Sequence, residues 1–262
     1  MPTQRPLGNI TRGTTNPNRL RRCDRWLLAT HRDRLTKGGP PHLVDLGHGA
    51  SGVTTVEWAD RLAPVRPDLH VTGLEIDPER VAAAQAWARS GVDFALGGFE
   101  VPLPGGTRPE LIRAANVLRQ YDEDEVRAVW DRLCARLAPG GLLVEGTCDE
   151  IGRRHVWVAL GPEGARTVTF ATRLGSLGAP SDLAERLPKA LIHRNVPGEP
   201  VHAFLRDFDR AWAAAAPYAA FGARQRWVRS VQSLAAGWPL TDGPQRWRQG
   251  EVTVRWEALA PR

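Results

Sequence analysis

Val44-Asp45-Leu46-Gly47-His48-Gly49-Ala50-Ser51-Gly52 is the stretch that decides the fold of this 262-residue chain. It reads as the end of a buried strand, a tight glycine turn and the start of a helix. Glycine carries no Cβ, so a G-x-G-x-x-G turn lets backbone N–H groups approach a nucleotide-like ligand closely. Asp45 stands at the turn, where a carboxylate can accept from backbone amides or face a cation.

The next signal follows about twenty residues later, in His70-Val71-Thr72-Gly73-Leu74-Glu75-Ile76-Asp77-Pro78. It is a second apolar strand ending in an acid, then a proline suited to a first helical turn. Glu75 is placed to take two hydrogen bonds from a ribose diol, the alternative being a solvated acid at a strand end. Asp77, directly before Pro78, reads as the cap of a helix over Pro78–Arg89.

Outward from these two motifs, strands and helices alternate. Strand His42–Leu46 leads to helix Val53–Leu62, and strand Leu69–Ile76 to helix Pro78–Arg89. Strand Val92–Leu96 ends at Gly97-Gly98-Phe99, and strand Leu111–Leu118 precedes an amphipathic helix, Asp122–Leu137. A fifth strand follows at Leu142–Thr147. Repeated βα units of this kind predict a doubly wound parallel sheet. The runs His155–Leu160 and Thr167–Thr172 bracket Gly161-Pro162-Glu163-Gly164, which predicts an antiparallel hairpin.

Upstream, residues 1–15 lack periodicity and read as an arm. Asn16-Pro17 reads as the start of a helix with Leu20, Cys23, Trp26, Leu27 and Leu35 on one face. Downstream, Val201–Ala214 and Ala219–Ala235 read as helices and Val252–Trp256 as a strand. Five of the ten tryptophans fall there, and large aromatics at such spacing most often build a core. The expected organisation is a basic arm and helix over 1–39, a nucleotide-binding domain over 40–175 and a helical, Trp-rich addition over 176–262.

Hydrophobic content of 42% and charged content of 24% are those of a soluble globular protein. No apolar run is long enough to span a bilayer, and Met1-Pro2-Thr3-Gln4-Arg5 lacks a signal-peptide core, so a cytoplasmic location is expected. Cys23, Cys134 and Cys148 are too dispersed for a disulfide framework or a metal site. The net charge of +6 sits entirely in residues 1–36, where eight arginines face Asp24 and Asp33. Such an arm can recruit nucleic acid, although the near-absence of lysine elsewhere also fits a general preference for arginine.

Taken in order, the motifs resemble those of class I S-adenosylmethionine-dependent methyltransferases, closest to the quinone-methyltransferase-like branch. Val44–Gly52 matches the first motif and Leu74-Glu75-Ile76-Asp77 the second. Gly98-Phe99-Glu100-Val101-Pro102-Leu103-Pro104 resembles the loop beside adenine, and Ala114-Ala115-Asn116-Val117-Leu118 the fourth-strand motif. Leu137-Ala138-Pro139-Gly140-Gly141-Leu142-Leu143-Val144 resembles the lead into the fifth strand. The likeness covers roughly residues 40–175. It implies a Rossmann-like α/β fold, S-adenosyl-L-methionine as cofactor and a cofactor site at Asp45, Gly47, His48, Gly49, Gly52, Glu75, Ile76, Gly98, Phe99, Asn116 and Leu118. Gly97-Gly98 replaces the family's usual aspartate after strand three, and no N/D-P-P-Y or Pro-Cys motif of base methylation is present.

Three function classes follow: a small-molecule methyltransferase, an RNA or protein methyltransferase using the basic arm, and a non-catalytic nucleotide-binding protein. Tyr121, His193 and Arg194 are candidates for the acceptor side, and His48, Glu145 and Asp149 are further titratable groups near strand ends, with His48, inside the glycine turn, reading as a side chain that projects into solvent. No catalytic base stands out, and no metal is expected. The acceptor and the oligomeric state are not legible in the sequence.

Overall fold

Residues 5–262 are described in a computed structural model of the protein; the first four residues of the expected arm lie outside them. The chain forms two compact units. One runs to Glu145 and includes Glu150–Gly152 and Leu160–Gly164; the other holds Gly146–Asp149, Arg153–Ala159 and Ala165–Arg262.

In the first unit, extended chain over residues 5–16 leads into helices α1 (Arg21–Thr30) and α2 (Arg32–Thr36). The helix expected from Asn16 begins later because Asn18 adopts a left-handed φ of 62°, which an α-helix cannot hold. Cys23, Trp26, Leu27 and Leu35 are buried as their spacing predicts. Sequestering Leu27 and Leu35 contributes on the order of 1.5–3 kcal/mol each. Then follow β1 (His42–Leu46), α3 (Val53–Leu62), β2 (His70–Glu75), α4 (Pro78–Ala84), β3 (Val92–Leu96), β4 (Leu111–Ala115), α5 (Glu123–Arg136) and β5 (Leu142–Cys148). β1 pairs in parallel with β2 and β4, and β2 with β3.

Local chemistry sets the ends of these elements. The Asp77 carboxylate accepts from the Glu79 amide at 2.9 Å and the Arg80 amide at 3.5 Å, capping α4 behind Pro78. α4 is shorter than expected: Gln85–Trp87 tightens into a 3₁₀ turn, and Arg89 pairs with Val92 across a turn closed by Gly91 at φ 77°. The Glu125 side chain accepts from the Asp122 amide at 2.8 Å in a capping box on α5. β4 stops at Ala115, short of Leu118, because Asn116 turns left-handed at φ 62°.

The second unit is built on the expected hairpin, β6 (Arg154–Gly161) and β7 (Gly164–Thr172), followed by α6 (Lys189–Ile192), α7 (Pro200–Ala214), α8 (Ala223–Leu234), α9 (Pro244–Trp247) and β8 (Glu251–Arg255). β8 runs antiparallel to β7. Gly222, at φ 96°, delays the start of α8 relative to the expected Ala219. Phe170 stacks on Phe204 with centroids 4.9 Å apart, Trp238 meets Phe204 at 5.1 Å and Trp227 meets Phe208 at 5.0 Å. Trp212, Trp227 and Trp247 are buried and belong to the core, whereas Trp238 and Trp256 are half-buried. The strand order is β3-β2-β1-β4-β5-β6-β7-β8 in a single sheet, parallel at its first strands and antiparallel at its end.

Candidate functional site

The glycine turn has the backbone its sequence demands. Gly47 (φ 70°) and Gly49 (φ 81°) occupy the left-handed region that side chains disfavour, and the Gly47 amide donates to the Leu74 carbonyl at 2.7 Å. A Cβ on Gly47 would lie 2.8 Å from Val117 Cγ2, and one on Gly49 would lie 2.7 Å from the Gly13 carbonyl oxygen. At Gly52 a Cβ would meet the Phe94 ring at 2.5 Å, so this glycine serves helix-to-strand packing.

Glu75 ends β2 with its side chain almost wholly buried. Oε2 accepts from the Gly49 amide at 3.1 Å, and Oε1 accepts from the Ile76 amide at 2.9 Å. The glycine turn and the strand-end acid are thus locked to one another. A carboxylate has about four acceptor positions, so capacity remains for a ligand hydroxyl.

Asp45 is engaged differently from the cofactor contact expected of it. Oδ1 accepts from Arg113 Nε at 2.9 Å, and Oδ2 accepts from Arg113 at 2.7 Å and from the Thr55 hydroxyl at 2.7 Å. Arg113 also reaches Asp24 of α1 at 2.5 Å, the Thr54 carbonyl at 3.0 Å and the Trp58 ring, 4.4 Å from its centroid. Asp24 takes a second guanidinium, Arg61, at 2.7 Å. Burial opposes the charge on Arg113, but Asp45 and Asp24 hold its pKa above the ordinary value. Arg113 had no role in the sequence reading, although a charge inside Leu111-Ile112-Arg113-Ala114-Ala115 was itself a signal of a buried ion pair.

His48 does not project into solvent; it is 3% exposed. Its ring packs edge-on against Phe94 with centroids 5.1 Å apart, and among the described residues neither ring nitrogen has a hydrogen bond of good geometry. Burial lowers its pKa against the opposing pull of Asp45 and Glu75.

At the carboxyl ends of the strands lies a narrow cleft with a free volume of about 20 Å³. Leu46, Gly47, Glu75, Ile76, Gly98, Phe99, Val117 and Tyr121 line it. Of the expected cofactor residues, Gly47, Glu75, Ile76, Gly98 and Phe99 come together here. Asp45, His48, Gly49, Gly52, Asn116 and Leu118 stand outside the lining, with Leu118 fully buried. The roof was not foreseen at residue level: Leu7, Gly8, Asn9 and Thr11 complete the cleft. The Phe99 amide donates to the Leu7 carbonyl at 2.9 Å, the Ala50 amide to the Gly13 carbonyl at 2.9 Å, and the Asn9 amide to the Tyr121 hydroxyl. Burial pushes the Tyr121 pKa up.

The remaining candidates lie elsewhere. His193 Nε2 is 3.3 Å from Lys189 Nζ and Arg194 is 3.5 Å from Glu199, both in the second unit and neither among the cleft-lining residues. Asp149 accepts from the Arg153 and Arg154 amides and closes the turn into β6. Glu145 is fully buried in β5, and burial pushes its pKa up to about 8. Among the described residues no group of His, Cys, Asp and Glu could hold a metal ion, and no helix is long and apolar enough to cross a membrane.

No protein-family model matches the sequence, and no curated protein matches it. Among solved structures, the chain is similar to human N-acetylserotonin methyltransferase in complex with S-adenosylmethionine, at 23% identity with a TM-score of 0.33, covering 46% of this chain and 34% of that one. It is also similar to an amino pentose methyltransferase of calicheamicin biosynthesis from Micromonospora echinaspora (23% identity, TM-score 0.35, covering 62% and 66%). A third is an N-methyltransferase from Bradyrhizobium japonicum in complex with S-adenosylhomocysteine (24%, TM-score 0.36, covering 52% and 69%). The chain spans about a third of the length of the first of these. Its own strand order and glycine turn define a Rossmann-like α/β fold that ends antiparallel.

Proposed function

We propose that the protein is an S-adenosylmethionine-dependent methyltransferase acting on a small-molecule acceptor. The observation that carries this reading is the buried Glu75 carboxylate, held by the Gly49 and Ile76 amides in a cleft it shares with Gly47 and Phe99. A strand-end acid beside a glycine turn is the arrangement that recognises a ribose diol next to a close-approaching backbone. In this reading Glu75 holds the ribose, Gly47 leaves room for the ligand, and Ile76, Gly98 and Phe99 flank the base.

The bound cofactor supplies an electrophilic methyl group on a sulfonium. The chain's part is to align the acceptor and exclude water. Of the proposed acceptor-side residues, Tyr121 is among the cleft-lining residues, its hydroxyl accepting from the Asn9 amide, while His193 and Arg194 are proposed on their chemistry alone.

A small acceptor is supported by the fourth-strand motif, Ala114-Ala115-Asn116-Val117-Leu118, which resembles that of the quinone-methyltransferase-like branch. In the arm, Arg19 donates to the Thr14 carbonyl and Arg22 to the Gly152 carbonyl at 3.1 Å, bonds that leave their positive charges in place. Calorimetry with S-adenosylmethionine, S-adenosylhomocysteine and NADH tests the cofactor: binding of the first two without the third is expected, and tight NADH binding overturns the reading. RNA binding that weakens steeply with salt would move the acceptor to the polyanion class.

A further inference from the structure

We propose that Arg80 is a positioning residue that latches Leu7–Gly13 as a strap over the cleft and thereby sets how fast an adenosyl ligand leaves; this rests on the cofactor reading above. Arg80 lies in the first turn of α4, three residues after the cap Asp77, and its side chain is 18% exposed. Its guanidinium faces two ways. Toward the cleft floor it stands 3.7 Å from Glu75 Oε2 and 3.4 Å from Asp77 Oδ2. Toward the roof it donates to the Thr11 carbonyl at 2.9 Å and the Thr11 hydroxyl at 3.4 Å. Gly13 closes against the same group: a Cβ there, at φ 73°, would lie 2.6 Å from Arg80 Cζ.

The strap's other attachments are made largely through its backbone. Leu7 exchanges with both sides of one loop, its carbonyl accepting from Phe99 and its amide donating to Glu100 Oε2 at 2.8 Å. The Asn9 carbonyl accepts from Gln120 Nε2 at 2.8 Å, and Gly13 accepts from Ala50. Gly98 lies so close beneath that a Cβ would come within 2.0 Å of the Leu7 carbonyl oxygen. Arg80 joins this roof to the acid proposed to bind ribose. The cleft has only about 20 Å³ of free volume, far below the roughly 300–1,000 Å³ of ordinary ligand pockets, so the roof has to lift for entry and settle for retention. An arginine fork suits such a latch because it holds two acceptors at once, which a lysine ammonium does with far less geometric control.

The test compares wild type, Arg80→Ala and Arg80→Lys in the full-length chain. Hydrogen exchange at the Ala50 and Phe99 amides reads the strap without any ligand, and stopped-flow release of S-adenosylhomocysteine reads the gate. Arg80→Ala is expected to speed exchange at both amides about tenfold while Val44 of β1 stays protected. The same variant should release S-adenosylhomocysteine on the order of ten times faster, with association changed much less. Arg80→Lys should fold as wild type and fall between the two. Wild-type exchange and release in Arg80→Ala overturn the latch. If wild type itself does not bind S-adenosylhomocysteine, the cofactor reading and the gating role fall together, while the exchange data still decide whether Arg80 holds the strap.

Discussion

Arg113 of β4 meets Asp45 of β1 as a two-pronged ion pair, Nε to Oδ1 at 2.9 Å and the second nitrogen to Oδ2 at 2.7 Å, with both residues almost fully buried. The acid of the glycine-turn motif therefore ties the two central parallel strands together. Through Asp24 it also ties α1 to the sheet, since Asp24 accepts from the same guanidinium. Removing one partner strands a buried charge, a change that costs roughly 3–5 kcal/mol. Arg113→Met should lower the urea midpoint by a corresponding amount. A variant as stable as wild type would show that the network contributes no net stability.

Glu75→Ala should weaken S-adenosylhomocysteine at least about tenfold through loss of charge-assisted hydrogen bonds. A Glu75 that did nothing but bind ribose, or a solvated acid at a strand end, would be dispensable for stability. The structure says otherwise, because the same carboxylate satisfies the Gly49 and Ile76 amides. Leaving those amides unpaired should cost about 1–3 kcal/mol in ligand-free protein. Calorimetry and thermal melting of one preparation check both halves. Loss of stability with unchanged affinity would make Glu75 structural only.

Gly49→Ala tests the turn and the roof together. A left-handed alanine costs roughly 1–2 kcal/mol, and its Cβ would press on the Gly13 carbonyl, 2.7 Å away. The strap should lift, exposing the Ala50 amide, with the sheet intact. Slow exchange at Ala50 in this variant would show that the turn yields instead of the strap.

These three cases mark where the sequence is legible. Gly47, Gly49 and Asp77 declare themselves because a left-handed φ or a helix cap is satisfied within a few residues. Glu75 is legible as a strand-end acid at a fixed interval from the glycine turn. Arg113, Arg80 and Thr11 are not, because their roles depend on partners many residues away in the chain. Asp45 shows the same limit from the other side. Its place in the motif is local, but its partner Arg113 is 68 residues distant, and that partner decides what the carboxylate faces. His48 lies in a turn that reads as exposed, and only the position of Phe94 on β3 shows that it is covered.

The tryptophans of the second unit make a stability prediction. Trp227 is fully buried against Phe208, and Arg226 stacks over Trp212 at 3.9 Å while donating to its carbonyl. Trp227→Ala should cost about 3–5 kcal/mol, as large-to-small changes in a packed core do. Equilibrium unfolding should show that loss, and a cost near zero would mean that the site collapses around the cavity.

Glu145 predicts a pH dependence of stability. Burial in β5 pushes its pKa up to about 8, and one carboxyl oxygen, Oε2, has no hydrogen-bond partner among the described residues. In the unfolded chain the group titrates near the ordinary glutamate value of about 4.3. Between those values the native state holds a proton that the unfolded state has released. Stability therefore falls as pH rises across this window, by up to about 1.4 kcal/mol per pH unit from this group. Its stabilising contribution is complete below the unfolded pKa and lost as pH passes the folded one. Glu145→Gln keeps the shape and removes the titration, so its stability should vary less between pH 5 and 8 and exceed that of wild type most at the alkaline end. Chemical denaturation of both proteins at four pH values in that window measures the difference. Parallel profiles for variant and wild type would mean that Glu145 is ionised in the native state at neutral pH.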